Sequence, residues 1–411
     1  MLIKFEKKIK KNSKKDFLKI FFKYYFFITS SILVLLFFLI SQTGYWGNYK
    51  ATFLDRLYKS SYNNYLKLPI ILPQAFYGIF VDLPVVNINI SLKKQLILDK
   101  DRKKALENTH SFTFNFKKVP ATINFNNSEY EIDLRLKGDR SIHYKEIDKS
   151  SYKIELSNDE TILGMNKFSL MKPRARNYIH EWIYHQLMAD NGLINLKYEF
   201  VNLKVNGESQ GLYILEEGFD KILIERNKRR NGPIYSLKEE WTSQLNNAEN
   251  KKPVFQVYNK RNWLEGNNLQ LALYGNKLLK EFFSKKIELD EAFDEDKWAM
   301  FMAISDINYY EHGNQIKSVK FYFNTLSKKF EPIPFDGHRI VVDLNKNIKG
   351  WQNFKNSKPS FKLAVACIEN YKTCHNPFPS HFFFKTDGSL NKSFFEKYRK
   401  NIEKLTSKVY L

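Results

Sequence analysis

Chemistry on phosphates needs cations to hold charge and carboxylates to hold a divalent metal or to take a proton from a nucleophile. The sequence supplies both types. The cations are Arg135, Lys137 and Arg140 in LRLKGDRS and Lys153 in SYKIEL. The acids are Glu181, the pair Glu216 and Glu217, Asp306 and Asp336. Ordinary roles stay open for most of them: solvent-facing strand residues for the cations, an ion-paired helix residue for Glu181, a strand end for Glu217 and a helix end for Asp306. Asp336 is harder to dismiss, because it closes the apolar frame IPFD and burying a lone carboxylate is costly. His312 and His338 bracket the stretch before it, but no Cys lies near and no HxxxH spacing marks a zinc site.

These residues must be held by alternating and helical patterns. The segments YEIDLRLKGD, SYKIEL, NKFSLMK and YEFVNLKVNGESQGLYILEE alternate apolar and polar residues as half-buried strands do, and Asn206-Gly207 predicts a hairpin turn inside the last. NYIHEWIYHQLMADNGL predicts an amphipathic helix ending at Asn191-Gly192. Helical spacing returns in LQLALYGNKLLKEFF, DKWAMFMAISDINYY and SLNKSFFEKYRKNIEKL, with strands in VVNINI, VKFYFN and KFEPIPFD. A β-rich piece with one helix followed by a more helical piece is an α+β, two-lobed arrangement. The boundaries read as a basic tail over 1–23, an apolar span over 24–46, a juxtamembrane and lead-in strand region over 47–105, a β-rich part over 106–240 and a helical part with a C-terminal extension over 241–411.

At 411 residues with 43% hydrophobic residues the chain can bury a real core, which excludes a disordered classification. Its 66 Lys+Arg against 44 Asp+Glu give +22, a charge that favours polyanions without choosing among phosphates, acidic polymers and anionic lipid. Without zinc-finger spacing or an RNP-like aromatic pair, nucleic acid is disfavoured.

FFITSSILVLLFFLISQTG, Phe26 to Gly44, carries no charge, and the uncharged run from Tyr24 to Tyr49 is long enough for one bilayer crossing. Nine lysines precede it against Glu6 and Asp16, so the positive-inside rule puts the N-terminus in the cytoplasm and the main domain outside the cell membrane. Tyr45 and Trp46 suit an interfacial belt, and no A-x-A-like site favours the rival reading, a cleaved signal peptide. In an outward-facing domain Cys367 and Cys374 could form a small local disulfide, with two unrelated thiols as the alternative.

A strand Lys, a helix Glu, a strand-end acid and two later Asp follow the order of parts in a kinase fold. The ordered set RLKGDRS, SYKIEL, the helix with DNG, VNLKVNGESQGLYILEE, DINYY, VKFYF and FEPIPFD resembles the spore-coat CotH kinase family over roughly Ile132 to Arg339. The resemblance implies an atypical protein-kinase-like domain that transfers phosphate from ATP, with Mg2+ or Mn2+, to Ser or Thr of an extracytoplasmic protein. It further implies that Arg135 and Lys153 contact nucleotide phosphates, that Glu217 sits beside the adenine, that Asp306 is the catalytic base and that Asp336 binds metal. Two positions depart from the family pattern. FDGH replaces its W-D-x-D ending, and Lys320 stands where it has an Asn metal ligand, with Asn314 as the nearest oxygen donor in exchange. A Lys where Mg2+ needs an oxygen ligand favours the alternative, a catalytically inactive kinase-like surface module that binds an acidic envelope polymer or phosphate groups.

Overall fold

The computed structural model describes residues 23–31, 82–107, 115–138, 141–146, 149–237, 254–308, 310, 313–315, 318–337 and 378–407. The chain divides into two units, Met1–Asp82 and Leu83–Leu411. In the first, residues 23–31 form a helix whose Thr29 and Ser31 hydroxyls donate to the carbonyls of Tyr25 and Phe27 at 2.8 and 2.9 Å. Among the described residues no helix is long and apolar enough to cross a membrane. Of the expected anchor over 24–46, residues 32–46 lie outside the description, as do Cys367, Cys374, Arg140, His312 and His338.

The second unit is a mixed α+β body built on two sheets. Seven strands close a barrel: β1 (Val85–Asn89), β2 (Val119–Phe125), β3 (Ser128–Leu136), β4 (Tyr152–Leu156), β5 (Lys167–Met171), β6 (Tyr198–Val205) and β7 (Glu208–Glu217). Their order is β1-β2-β3-β4-β5-β7-β6, and closure comes from a parallel pairing of β1 with β6 in which Val86 faces Leu203. VVNINI is therefore an integral barrel strand, with α1 (Leu92–Glu107) following it. Alternation fills the barrel: Ile132, Leu134 and Leu136 of β3 and Ile154 of β4 are buried with Val86, Ile88 and Leu203. The turn between β6 and β7 is the one read from Asn206-Gly207, with φ of 50° and 83° in the left-handed region that a two-residue hairpin requires.

The second sheet has order β11-β10-β8-β9, from β8 (Ile234–Leu237), β9 (Phe255–Val257), β10 (Lys320–Asn324) and β11 (Lys329–Ile333). β8 precedes the expected boundary at 240 yet pairs with β10, because its four residues are all buried and need cover on both faces. Around this sheet lie α2 (His180–Asp190), α3 (Lys221–Arg226), α4 (Lys260–Leu264), α5 (Leu269–Phe283), α6 (Leu289–Ala292), α7 (Glu295–Ile307), α8 (Ser380–Phe383) and α9 (Lys392–Leu405). α7 is apolar nearly all round and, Met300 apart, buried from Trp298 to Ser305, whereas α9 buries only the stripe Phe394, Tyr398, Ile402 and Leu405. Their shared core is aromatic: Trp298 stacks on Phe382 at 4.7 Å and donates its indole N–H to the Phe330 carbonyl at 2.9 Å.

α2 starts three residues later than its periodicity predicts. Pro173–Arg176 forms a 3-10 turn, and Asn177 and Tyr178 then adopt φ of 49° and 62°, which breaks the helical path before His180. That interruption aims Arg176 inward.

Candidate functional site

Lys137 follows β3, Arg176 ends the 3-10 turn, Lys320 opens β10, Glu216 lies on β7 and Asp336 follows β11. Lys137 Nζ lies 2.5 Å from Glu216 Oε2, Arg176 Nε lies 3.3 Å from Glu216 Oε1, and Arg176 Nη1 holds Asp336 Oδ1. The three cations surround one ring: Lys320 Nζ is 5.1 Å, the Arg176 guanidinium 5.2 Å and Lys137 Nζ 5.7 Å from the centroid of Phe335. Phe219 meets Phe335 edge-on at 5.2 Å, and Lys320 Nζ lies 5.9 Å from its centroid while donating to the Ser318 carbonyl at 2.7 Å.

Glu216, Arg176 and Lys320 are all buried, whereas the side chains of Lys137 and Asp336 keep 15% and 16% of their surface in solvent, so the cluster has one open edge. Burial alone would raise the Glu216 carboxyl, but Lys137 and Arg176 outweigh it and hold the group below its usual range. The same burial opposes the Arg176 charge, and Asp336, Glu216 and Glu181 more than restore it. Lys137 is lowered by burial, which Glu216 only partly offsets. His143 is pushed down to about 3 by burial and by Arg176 and Lys137, so it faces the cluster neutral and shares a contact of 3.1 Å with the Ser151 hydroxyl.

Asp336 owes its place to local backbone geometry. Its φ of 60° is left-handed, and Gly337 beside it comes so near residue 313 that a Cβ on Gly313 would lie 2.8 Å from the Gly337 Cα. Asn314, next to Gly313 in sequence, is buried.

A family model described as CotH kinase protein matches residues 134–408. The chain belongs to the CotH kinase family. It is also similar to the inner spore coat protein H of Bacillus subtilis (strain 168), 24% identical over 228 residues. That alignment covers 53% of this chain and 61% of the relative, so the match spans under two thirds of the spore-coat protein.

The CotH-like residues named from sequence are not all brought together. Arg135 and Lys153 are cross-strand partners on β3 and β4, both half-buried, and Lys153 is lowered to about 8 by burial and by Arg135 and Lys137. They adjoin the cluster. Glu217 is neighbour to Glu216 in sequence but serves another network: its carboxylate accepts from Arg226 Nε at 3.2 Å and from the Lys197 backbone N–H at 2.7 Å. Asp306 ends α7, where Tyr398 of α9 donates to its Oδ2 at 2.5 Å, and burial lifts it to about 7 against that hydrogen bond. Glu181 is fully buried, 3.5 Å from His185 Nε2 on the next turn of α2, and is felt electrostatically by Arg176.

Sequence reading did not single out Arg176. KPRAR offers two arginines one residue apart, and only the left-handed residues after them decide that Arg176 turns in while Arg174 stays exposed. Arg176 occupies an Asp336 oxygen, Glu216 is shared between Arg176 and Lys137, and among the described residues no group of three or more His, Cys, Asp or Glu could hold a metal ion.

Proposed function

We propose that this CotH-family chain is a kinase-like protein of the cell envelope that binds the polyphosphate of ATP at the Lys137–Arg176–Asp336 cluster and passes its terminal phosphoryl group to Ser or Thr of an extracytoplasmic protein. The observation carrying this reading is the convergence of Lys137, Arg176 and Lys320 on Phe335 beside an edge open at Lys137 and Asp336. Arg135 and Lys153, next to that edge, would hold the outer phosphate oxygens. Asp306, with its carboxyl near 7, has the proton affinity a base needs at neutral pH, provided Tyr398 yields its hydrogen bond to the acceptor hydroxyl.

A second reading, binding without transfer, is favoured by the engagement of Asp306 by Tyr398 and of Asp336 by Arg176. The domain would then capture an acidic envelope polymer or a phosphate ligand. In both readings the basic tail over 1–23 stays in the cytoplasm and the apolar run over 24–46 holds the domain outside; protease added to intact cells should then remove the domain and spare the tail. Transfer is tested with γ-labelled ATP on the full chain beside Asp306→Ala and Asp336→Ala. Incorporation lost in both variants supports the kinase. A wild type as silent as the folded variants leaves the binding module.

A further inference from the structure

Away from the ion cluster, we propose that the cavity between α5, α6 and α8 is a binding site for a small aryl carboxylate, an apolar ring carrying one acid group. The cavity holds about 350 Å3, within the range of small-molecule sites, and none of its lining residues belongs to the Lys137–Arg176–Asp336 cluster. Its apolar wall is Phe282 at the end of α5, Ile287 and Leu289 around the start of α6, and Phe384 after α8. Two of the four are aromatic, which favours a ring as the occupant, since aromatic pairs gain more than burial alone gives.

The polar groups of the lining decide the charge of the ligand. Lys285 and Lys385 stand exposed at the rim, and among the described residues neither has a carboxylate partner. Glu288, the one acid on the lining, is already engaged: it accepts from the Thr386 backbone N–H at 3.2 Å and from the Thr386 hydroxyl. Two lysines and one carboxylate leave a single positive charge uncompensated, which one carboxylate ligand matches. His381 completes the lining and meets Phe283 edge-on at 5.1 Å. Burial and the charge of Lys285 push its imidazole down to about 4, so at neutral pH it is a neutral ring with an N–H to donate. Among the described residues neither ring nitrogen has a hydrogen-bond partner.

Backbone geometry fixes both lysines. Lys285 is the left-handed residue just past α5, at φ 56°; its N–H donates to the Phe282 carbonyl at 2.8 Å and that of Lys286 to the Glu281 carbonyl at 2.9 Å, a pairing usually completed by glycine. The Lys385 N–H donates to the Ser389 carbonyl at 2.9 Å to close a turn, and the Thr386 bonds to Glu288 tie that turn to α6. The rim is therefore set before any ligand arrives.

The probe is 3-phenylpropionate, titrated onto the full chain in detergent and followed by ligand-observed NMR, with empty micelles as the blank. It should bind, and propionate, which lacks the ring, and 3-phenylpropan-1-ol, which lacks the charge, should each bind about tenfold more weakly or worse. The double variant Lys285→Gly/Lys385→Gln should weaken binding of the acid by about tenfold or more, the scale of a lost charged contact. Glycine suits the left-handed position, so Lys285→Gly alone should melt no lower than the wild type while binding more weakly, which separates lost binding from lost fold. Ile287→Trp, which keeps both lysines and fills the cavity, should remove binding. The inference is overturned by an alcohol that binds as tightly as the acid, by a double variant that binds like the wild type, or by no binding of 3-phenylpropionate at all.

Discussion

Asp336 and Asp306 are both aspartates at the end of a structural element, and they occupy opposite kinds of surroundings. Asp336 leaves β11 on a left-handed turn into a web of ions, where Arg176 holds one of its oxygens and Lys137 and Lys320 flank the ring of the preceding Phe335. Asp306 closes α7 against α9, where its hydrogen-bond donor is the phenol of Tyr398 and burial lifts its carboxyl to about 7. The ion web keeps the Glu216 carboxylate charged inside the fold. The seam between helices lets one approach neutrality. Side-chain type therefore says little about which aspartate is a fixed counter-charge and which can move a proton near pH 7; the neighbours decide.

Breaking the ion web should have the largest effect. Arg176→Ala leaves Glu216 and Asp336 without their shared guanidinium, and a loss of about 3–5 kcal/mol of stability is expected in denaturant titrations. The seam should give the next largest effect, and with a definite sign. The Asp306 carboxyl is raised in the folded chain, to about 7 from 3.8, so the unfolded chain releases its proton first as pH rises. Stability is then lost progressively from about pH 4 to pH 7, by up to roughly 4 kcal/mol, and the cost is complete above pH 7. Asp306→Asn should flatten that part of the pH profile and be relatively more stable at pH 8 than at pH 4, which thermal melts across that range would reveal.

Tyr398→Phe sharpens the contrast at smaller scale. Its cost should be about 1–2 kcal/mol at pH 8, where the phenol bonds a carboxylate, and less at pH 5, where Asp306 is protonated. Equal costs at both pH values would mean that the Tyr398 hydrogen bond does not favour the ionised form of Asp306. Smallest is a control remote from both aspartates: Gly207→Ala, at φ 83° in the β6–β7 turn, should lose about 1 kcal/mol and leave the pH profile of Asp306 unchanged.

Period and turn chemistry made much of the scaffold readable. Alternation located β3, β4, β6 and β7, Asn206-Gly207 located their hairpin, and helical spacing located α5, α7 and α9. Closure of the barrel was not readable, because a parallel pairing of β1 with β6 joins residues more than a hundred positions apart and leaves no local pattern. The site was legible in part. Lys137, Glu216 and Asp336 stand out as charged residues at strand ends, but Arg176 sits in a turn whose direction depends on two left-handed residues.

By itself, then, the sequence determined the membership of the chain in a kinase-like family, the mixed α+β class, the chemical types gathered for phosphate and the apolar run after a basic tail, because each of these is written in local period, composition or ordered motif. Tertiary structure alone decided which of two adjacent acids enters the cluster: Glu216 meets Lys137 and Arg176, while Glu217 meets Arg226. It alone decided that Lys320 lies against the ring before Asp336 and that Asp306 answers to Tyr398, for in each case the partner comes from a distant element and the energy of a buried charge depends on what lies within a few ångströms of it.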